Sequence, residues 1–144
     1  MAGYSGRSLA DKLGIKAGHH VLTIGAPAEY RQLVSPLPAG VTIATSRVNA
    51  PDLVHLFARQ RKMLTSELTQ LRQVIPEATP VWVSWPKKAS GVATDITEDV
   101  IRAVALPLGF VDIKVCAVDE VWSGLKLVIR KEERSAGRRY TSRA

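Results

Sequence analysis

The residue types best suited to chemistry are gathered in Trp85-Pro86-Lys87-Lys88-Ala89-Ser90-Gly91. Two ammonium groups, a hydroxyl and the free backbone N–H groups around a glycine can cradle an anion. A helix N-terminus following such a loop adds a favourable dipole. The GxxxxGK[ST] spacing is absent, so this is not a P-loop. Trp85 and, further on, Trp122 offer flat apolar walls for a base or another ring. Asp119 and Glu120, just ahead of Trp122, form a carboxylate pair of the kind that serves as acid and base. Plainer readings stand beside each of these: solvated loop lysines, tryptophans in the core, and a charged hairpin tip. No catalytic constellation stands out, so no catalytic residue is assigned, although a small transferase would use Asp119, Glu120 and Lys87 for its chemistry.

The remaining reactive side chains point to structure. His55 lies mid-strand between apolar neighbours and reads as a core histidine with satisfied hydrogen bonds. His19 and His20 have no carboxylate partner nearby in sequence, and no metal site is expected. Cys116 is the single cysteine, so no intramolecular disulfide can form, and it reads as a small core or edge residue. With no Cys–His cluster spaced for zinc, a reducing compartment, the cytoplasm, is the expected location. The first fourteen residues, MAGYSGRSLADKLG, contain no apolar h-region, and no stretch approaches 18 apolar residues. No membrane contact is expected.

These groups must be held by the elements around them. Ser8 with Asp11 opens a helix that Gly14 ends. His20–Ile24 reads as a buried strand closed by Gly25, and Pro27 opens a helix whose apolar face is Tyr30, Leu33 and Val34. Residues 41–45 read as a second strand. Residues 52–58 form a third, apolar enough to be covered on both faces as parallel strands are. Over residues 59–75, Leu64, Leu68, Leu71 and Ile75 mark one face of an amphipathic helix. A strand at 81–85 leads into the lysine loop, and Asp95 with Glu98, or Thr97, caps a helix carrying Val100, Ile101, Val104 and Leu108. Two last strands span 110–117 and 121–130. An odd loop of three residues, 118–120, places Val111, Ile113, Val115 and Ala117 on the same side as Val121, Leu125, Leu127 and Ile129. It also sets Asp112 opposite Lys126.

The order β-α-β-β-α-β-α-β-β predicts a three-layer α/β fold with an open, mostly parallel sheet ending in an antiparallel hairpin. Residues 1–130 form one Rossmann-like domain. Residues 131–144 form a basic tail that is expected to be disordered. From residue 130 onward there are six basic against two acidic side chains, which is more than half of the net charge of +7. Nucleic acid is thus a candidate partner of the tail.

The third strand opening Asp52-Leu53-Val54 and the closing hairpin resemble a class I methyltransferase core with pieces missing. That resemblance implies a sheet order of second, first, third, fourth, sixth, fifth. Segments such as VSWPKKASG, TDITEDVIR and VCAVDEVWSGLKLVIRK also resemble a group of short bacterial proteins catalogued as a domain of unknown function, which implies no reaction. The connection from the second strand to the third has only about six residues, 46–51. A helix does not fit there, which leaves the direction of the second strand open.

Ligands of open α/β sheets bind beyond the carboxyl ends of the strands. Gly25-Ala26-Pro27 after the first strand, residues 86–94 after the fourth and residues 119–122 at the tip of the last hairpin are expected to converge there. The methyltransferase resemblance implies a glycine-rich first turn, an acid ending the second strand and an Asn/Asp-Pro-Pro-aromatic motif ending the third. This chain has Gly25-Ala26-Pro27, Thr45-Ser46-Arg47 and Phe57-Ala58-Arg59 in those places. The sequence therefore predicts a binding or accessory protein on a Rossmann-like scaffold. It would take a phosphate-bearing or nucleotide-like ligand at Gly25, Trp85, Lys87, Lys88, Ser90, Gly91, Asp119, Glu120 and Trp122. The alternatives are an S-adenosylmethionine-dependent methyltransferase or other small transferase, and a nucleic-acid binder. No cofactor and no oligomeric state are assigned from sequence.

Overall fold

The computed structural model describes residues 7–46 and 50–134. Helix α1 (Leu9–Leu13) begins where the Ser8 hydroxyl accepts from the Asp11 N–H, and it stops at Gly14 with φ 87°. It packs its C-terminus onto the sheet, where the buried Trp82 indole donates to the Leu13 carbonyl at 2.9 Å. Strand β1 (His20–Ile24) follows, then α2 (Tyr30–Leu33), a single turn in place of the longer helix expected from Pro27. The residues ahead of Tyr30 form a turn instead, its N–H donating to the Pro27 carbonyl, and Glu29 supplies no side-chain cap.

Strands β2 (Thr42–Ala44) and β3 (Leu53–Phe57) both pair parallel to β1, on opposite sides of it. This settles the direction of the second strand. The amphipathic helix α3 (Arg61–Val74) buries Leu64, Leu68 and Leu71 as the spacing requires. Strand β4 (Val81–Pro86) is buried throughout. A 3₁₀ turn at Lys88–Ser90 leads to α4 (Glu98–Ala105), where Thr97 is the cap that accepts from the Val100 N–H. Strands β5 (Phe110–Ala117) and β6 (Trp122–Ile129) close the sheet in the order β2-β1-β3-β4-β6-β5. That is the order implied by the methyltransferase resemblance.

Two apolar layers sandwich the sheet. Leu22, Val54, Leu56, Val83 and Trp85 meet α3 and α4 on one face. Val21, Leu53, Phe57 and Trp82 meet α1 and α2 on the other.

The hairpin corrects the register expected from sequence. Residues 118–121 connect the strands, and the pairing shifts between Asp112 and Lys114, leaving Ile113 as the extra residue of a bulge. Asp112 faces Leu127 rather than Lys126, and Lys126 faces Lys114. The bulge turns Phe110 and Asp112 toward the helices. Phe110 is buried there, and Asp112 receives the Arg102 Nε at 3.0 Å, while Arg102 also reaches Glu98 and Asp99. Ile113 and Val115, expected on the inner face, are 55 % and 51 % exposed on this edge strand. Beyond β6 a 3₁₀ turn at Lys131–Glu133 keeps the chain against the sheet, with the Arg134 Nε donating to the Ile129 carbonyl. The basic tail from 135 onward lies outside the described residues.

Candidate functional site

The parallel register brings the residues after β1 and β3 side by side at the carboxyl edge. Gly25 adopts φ +70°, and a Cβ there would stand 2.7 Å from the Phe57 carbonyl oxygen. The glycine thus lets the first turn lie directly on the end of β3. Two clefts meet at it. One, of about 410 Å³, is lined by Gly25, Phe57, Arg59, Gln60, Met63 and Trp122 among others. The second, of about 400 Å³, runs from Gly25 along Pro27, Tyr30 and Arg31 to Ile43 and Thr45 at the end of β2.

An aromatic series forms the wall between cleft and core. Trp122 meets Phe57 edge-on with centroids 5.0 Å apart, and Phe57 stacks on His55 at 4.3 Å. His55 is fully buried, with Nδ1 2.9 Å from the Tyr30 hydroxyl and Nε2 2.7 Å from the Ser84 hydroxyl. Burial pushes its pKa down to about 3 and pushes the Tyr30 phenol up. Both ring nitrogens are engaged, as expected of a core histidine.

The lysine loop lies at the next edge. Its cleft, of about 490 Å³, is lined by Trp85, Pro86, Lys88, Gly91, Val92 and Ile96 among others, and shares Ala93 with the first cleft. Trp85 and Trp122 do not form two walls of one pocket. Trp122 is opposite Pro86 in the ladder, so it shares the face of Trp82, whereas Trp85 points to the α3/α4 side. The Ser90 hydroxyl is committed locally, donating to the Lys87 carbonyl and accepting from the Val92 N–H. The first turn of α4 already carries Glu98 and Asp99, which offset the dipole expected to favour an anion.

Asp119 has a structural role at the tip. Its Oδ1 accepts from the Val121 and Trp122 N–H groups at 2.8 and 2.7 Å, closing the turn. Replacing Asp119 by Ala is expected to cost about 1.5–3 kcal/mol, read by urea denaturation, while Asp119→Asn retains most of the stability because it keeps an acceptor. Equal losses in the two variants would show that the turn does not depend on that oxygen. Glu120 is exposed beside it.

Arg59, Gln60, Met63 and Phe57 were missed as site residues. The signal was available, since a sheet order with β3 beside β1 places the residues that follow both strands together. Thr94 and Asp95 dock over this segment. The Thr94 hydroxyl donates to the Arg59 carbonyl, and the Asp95 carboxylate accepts from the Arg61 N–H at 2.7 Å.

No protein-family model matches the chain, and no curated protein sequence matches it. Solved structures do. A SAM-dependent methyltransferase from Aquifex aeolicus superposes with a TM-score of 0.60 at 13 % identity, over 85 % of this chain and 88 % of that one. The fold is that of the class I methyltransferases. The B. subtilis M1A22 tRNA methyltransferase TrmK superposes with 0.58 at 10 % identity, over 89 % of this chain and 65 % of that one. Magnesium protoporphyrin IX methyltransferase from Synechocystis, with bound SAH, gives 0.55 at 12 % identity, over 85 % and 78 %.

The fold implies S-adenosylmethionine, so the residues around Gly25 are the test of fit. None of those lining the two clefts is a carboxylate, and Arg31 and Arg59 are the charged ones. The end of β2 offers the Thr45 hydroxyl where an acid would hold the ribose. S-adenosylmethionine carries a sulfonium and an ammonium against one carboxylate, a net positive charge. A lining of cations does not suit it.

Proposed function

We propose that the protein is a binding module that uses the methyltransferase scaffold to take an anionic, ring-bearing ligand of the nucleotide type. The single observation that carries this reading is the lining of the paired clefts at Gly25. Phe57 and Trp122 supply ring surfaces, Arg59 and Arg31 supply positive charge, and no lining residue opposes them. A planar base against Trp122 with its phosphate toward Arg59 uses each group for what it does well. Lys88, beside Trp85 in the adjoining cleft, is a second point for a phosphate.

The fold likeness favours a second reading, methyl transfer from S-adenosylmethionine, and one experiment separates the two. Melting curves are recorded with adenosine, AMP, ADP, inorganic phosphate, S-adenosylmethionine and S-adenosylhomocysteine, for the full chain and for Arg59→Ala. A ligand at about 100 times its Kd adds about 2.7 kcal/mol, read as a shift of several degrees. AMP or ADP is expected to stabilise more than adenosine, with the difference lost in Arg59→Ala. Stabilisation by S-adenosylmethionine exceeding that by the nucleotides would overturn the nucleotide-binding reading in favour of the second. Silence from every compound would reject both.

A further inference from the structure

All the ion pairs among the described residues use arginine. The lysines are left over, and four of them share one place. Lys114 and Lys126 stand directly opposite each other across β5 and β6. Lys12 is at the end of α1, and Lys16 follows in the turn into β1. Burial lowers the Lys126 pKa, and Lys114 and Lys16 lower it further. Burial raises the Cys116 pKa, against the pull of Lys12 and Lys114. A Cβ on Gly14, which lies between Lys12 and Lys16, would stand 3.9 Å from the Lys126 Nζ, so the four lysines gather on one side of the sheet.

Like charges directly opposite in a sheet are destabilising, and none of the ion pairs found among the described residues involves these lysines. The thirteen acidic residues of the chain all fall among the described residues. Asp11, nearest in sequence to Lys12, is paired with Arg7. Asp112, nearest to Lys114, is turned to the other face by the bulge and held by Arg102. Lys126 is further fixed over the buried Trp82, its Nζ 6.0 Å from the ring centroid. Trp82 in turn is tied to α1 through the Leu13 carbonyl. The cluster is spread over a helix, a turn and two strands, with Lys126 held over Trp82 at its centre. An extended array suits a repeating anion better than a single one.

We propose that this face, formed by α1, β5 and β6, docks the phosphodiester backbone of a nucleic acid through Lys12, Lys16, Lys114 and Lys126. It is independent of the clefts at the carboxyl edge. Lys126 pairs with Trp82 near the start of β4, away from Trp122 at the other end of the same ladder. It also differs from binding through the basic tail, which the sequence alone suggests.

The test uses the full chain and fluorescein-labelled single-stranded RNA, duplex RNA and duplex DNA, titrated by anisotropy at several salt concentrations. Log K should fall linearly with log salt, by about 0.7 per contacted phosphate on single strands and about 0.9 on duplex. The double variant Lys114→Ala with Lys126→Ala is expected to reduce the slope by about 1.4 and about 1.8 respectively. Its melting temperature should hold or rise, because a repulsive pair has been removed, so lost binding is not lost folding. Deleting residues 135–144 should leave the difference between parent and double variant unchanged, and Lys62→Ala, an exposed lysine on α3 across the sheet, should leave the parent slope unchanged. The strand type that binds tightest identifies the source of the backbone. An unchanged slope in the double variant would overturn the proposal. So would loss of all binding on tail deletion alone, or binding to anionic phospholipid vesicles with none to nucleic acid.

Discussion

Replacing Gly25 by Ala is expected to destabilise the protein by about 2–6 kcal/mol. Two separate costs add. The residue has φ +70°, where an L side chain is strained by about 1–3 kcal/mol. The new methyl would also lie 2.7 Å from the Phe57 carbonyl oxygen. That atom is backbone in a buried central strand paired on both sides, so it cannot swing away as a side-chain tip would. Overpacking of this kind costs about 1–3 kcal/mol. Gly91 provides the control. Its φ is +75°, but a Cβ there meets nothing within 4 Å, so Gly91→Ala should show only the first cost. Urea denaturation of the two variants measures the difference. Similar losses in both would mean that β3 yields to the methyl group and that the contact does not constrain the first turn. The result also bears on function, because a glycine demanded by packing does not by itself mark a cofactor loop.

What the sequence disclosed, and what it did not, follows from the range of the interactions involved. Local rules placed the elements. The Ser8 and Thr97 caps, the stop at Gly14 and the leucine spacing of α3 each depend on contacts within about one or two helical turns, and each is found. The sheet order came through the methyltransferase resemblance, not from any local rule, and it is the order found. The hairpin register was not, because a bulge inserts one residue without leaving a composition signal, and the alternation of Val111, Ile113 and Val115 concealed it. Asp112 found its place through Arg102, an attraction between helix and strand that strand periodicity cannot show. Of the candidate site, Gly25 and Trp122 are brought together. Trp85 is turned to the opposite face by the alternation of strand side chains. Arg59 and Gln60 carry no local signal, because only the tertiary closeness of the end of β3 to Gly25 gives them a place in the cleft. The role of Asp119 could have been read from a carboxylate set two and three residues before amides in a tight turn.

The buried Tyr30–His55–Ser84 chain should make the protein acid-labile in a defined window. His55 has a pKa of about 3 in the fold, lowered by burial from the ordinary 6.5. Between those values the unfolded chain holds a proton that the folded chain excludes. Stability is therefore fully present above pH 6.5 and falls as the pH drops toward 3, at up to about 1.4 kcal/mol per unit. A non-titrating replacement removes that slope. His55→Gln is expected to be less stable than the parent at pH 7.5, since buried hydroxyls left poorly paired cost about 1–3 kcal/mol. The penalty should shrink by about 2–3 kcal/mol by pH 4.5. His19 and His20 are present in both proteins and drop out of the comparison. Urea unfolding at pH 7.5, 6 and 4.5 reads the gap directly. Parallel stability curves would mean that the imidazole takes up its proton in the folded state, either because the network opens or because a rearranged partner accepts the charge. A converging pair of curves would instead identify His55 as a neutral strut joining α2, β3 and β4. In that case the aromatic wall of the Gly25 cleft, which stacks on the same ring, keeps its shape only while that ring stays uncharged.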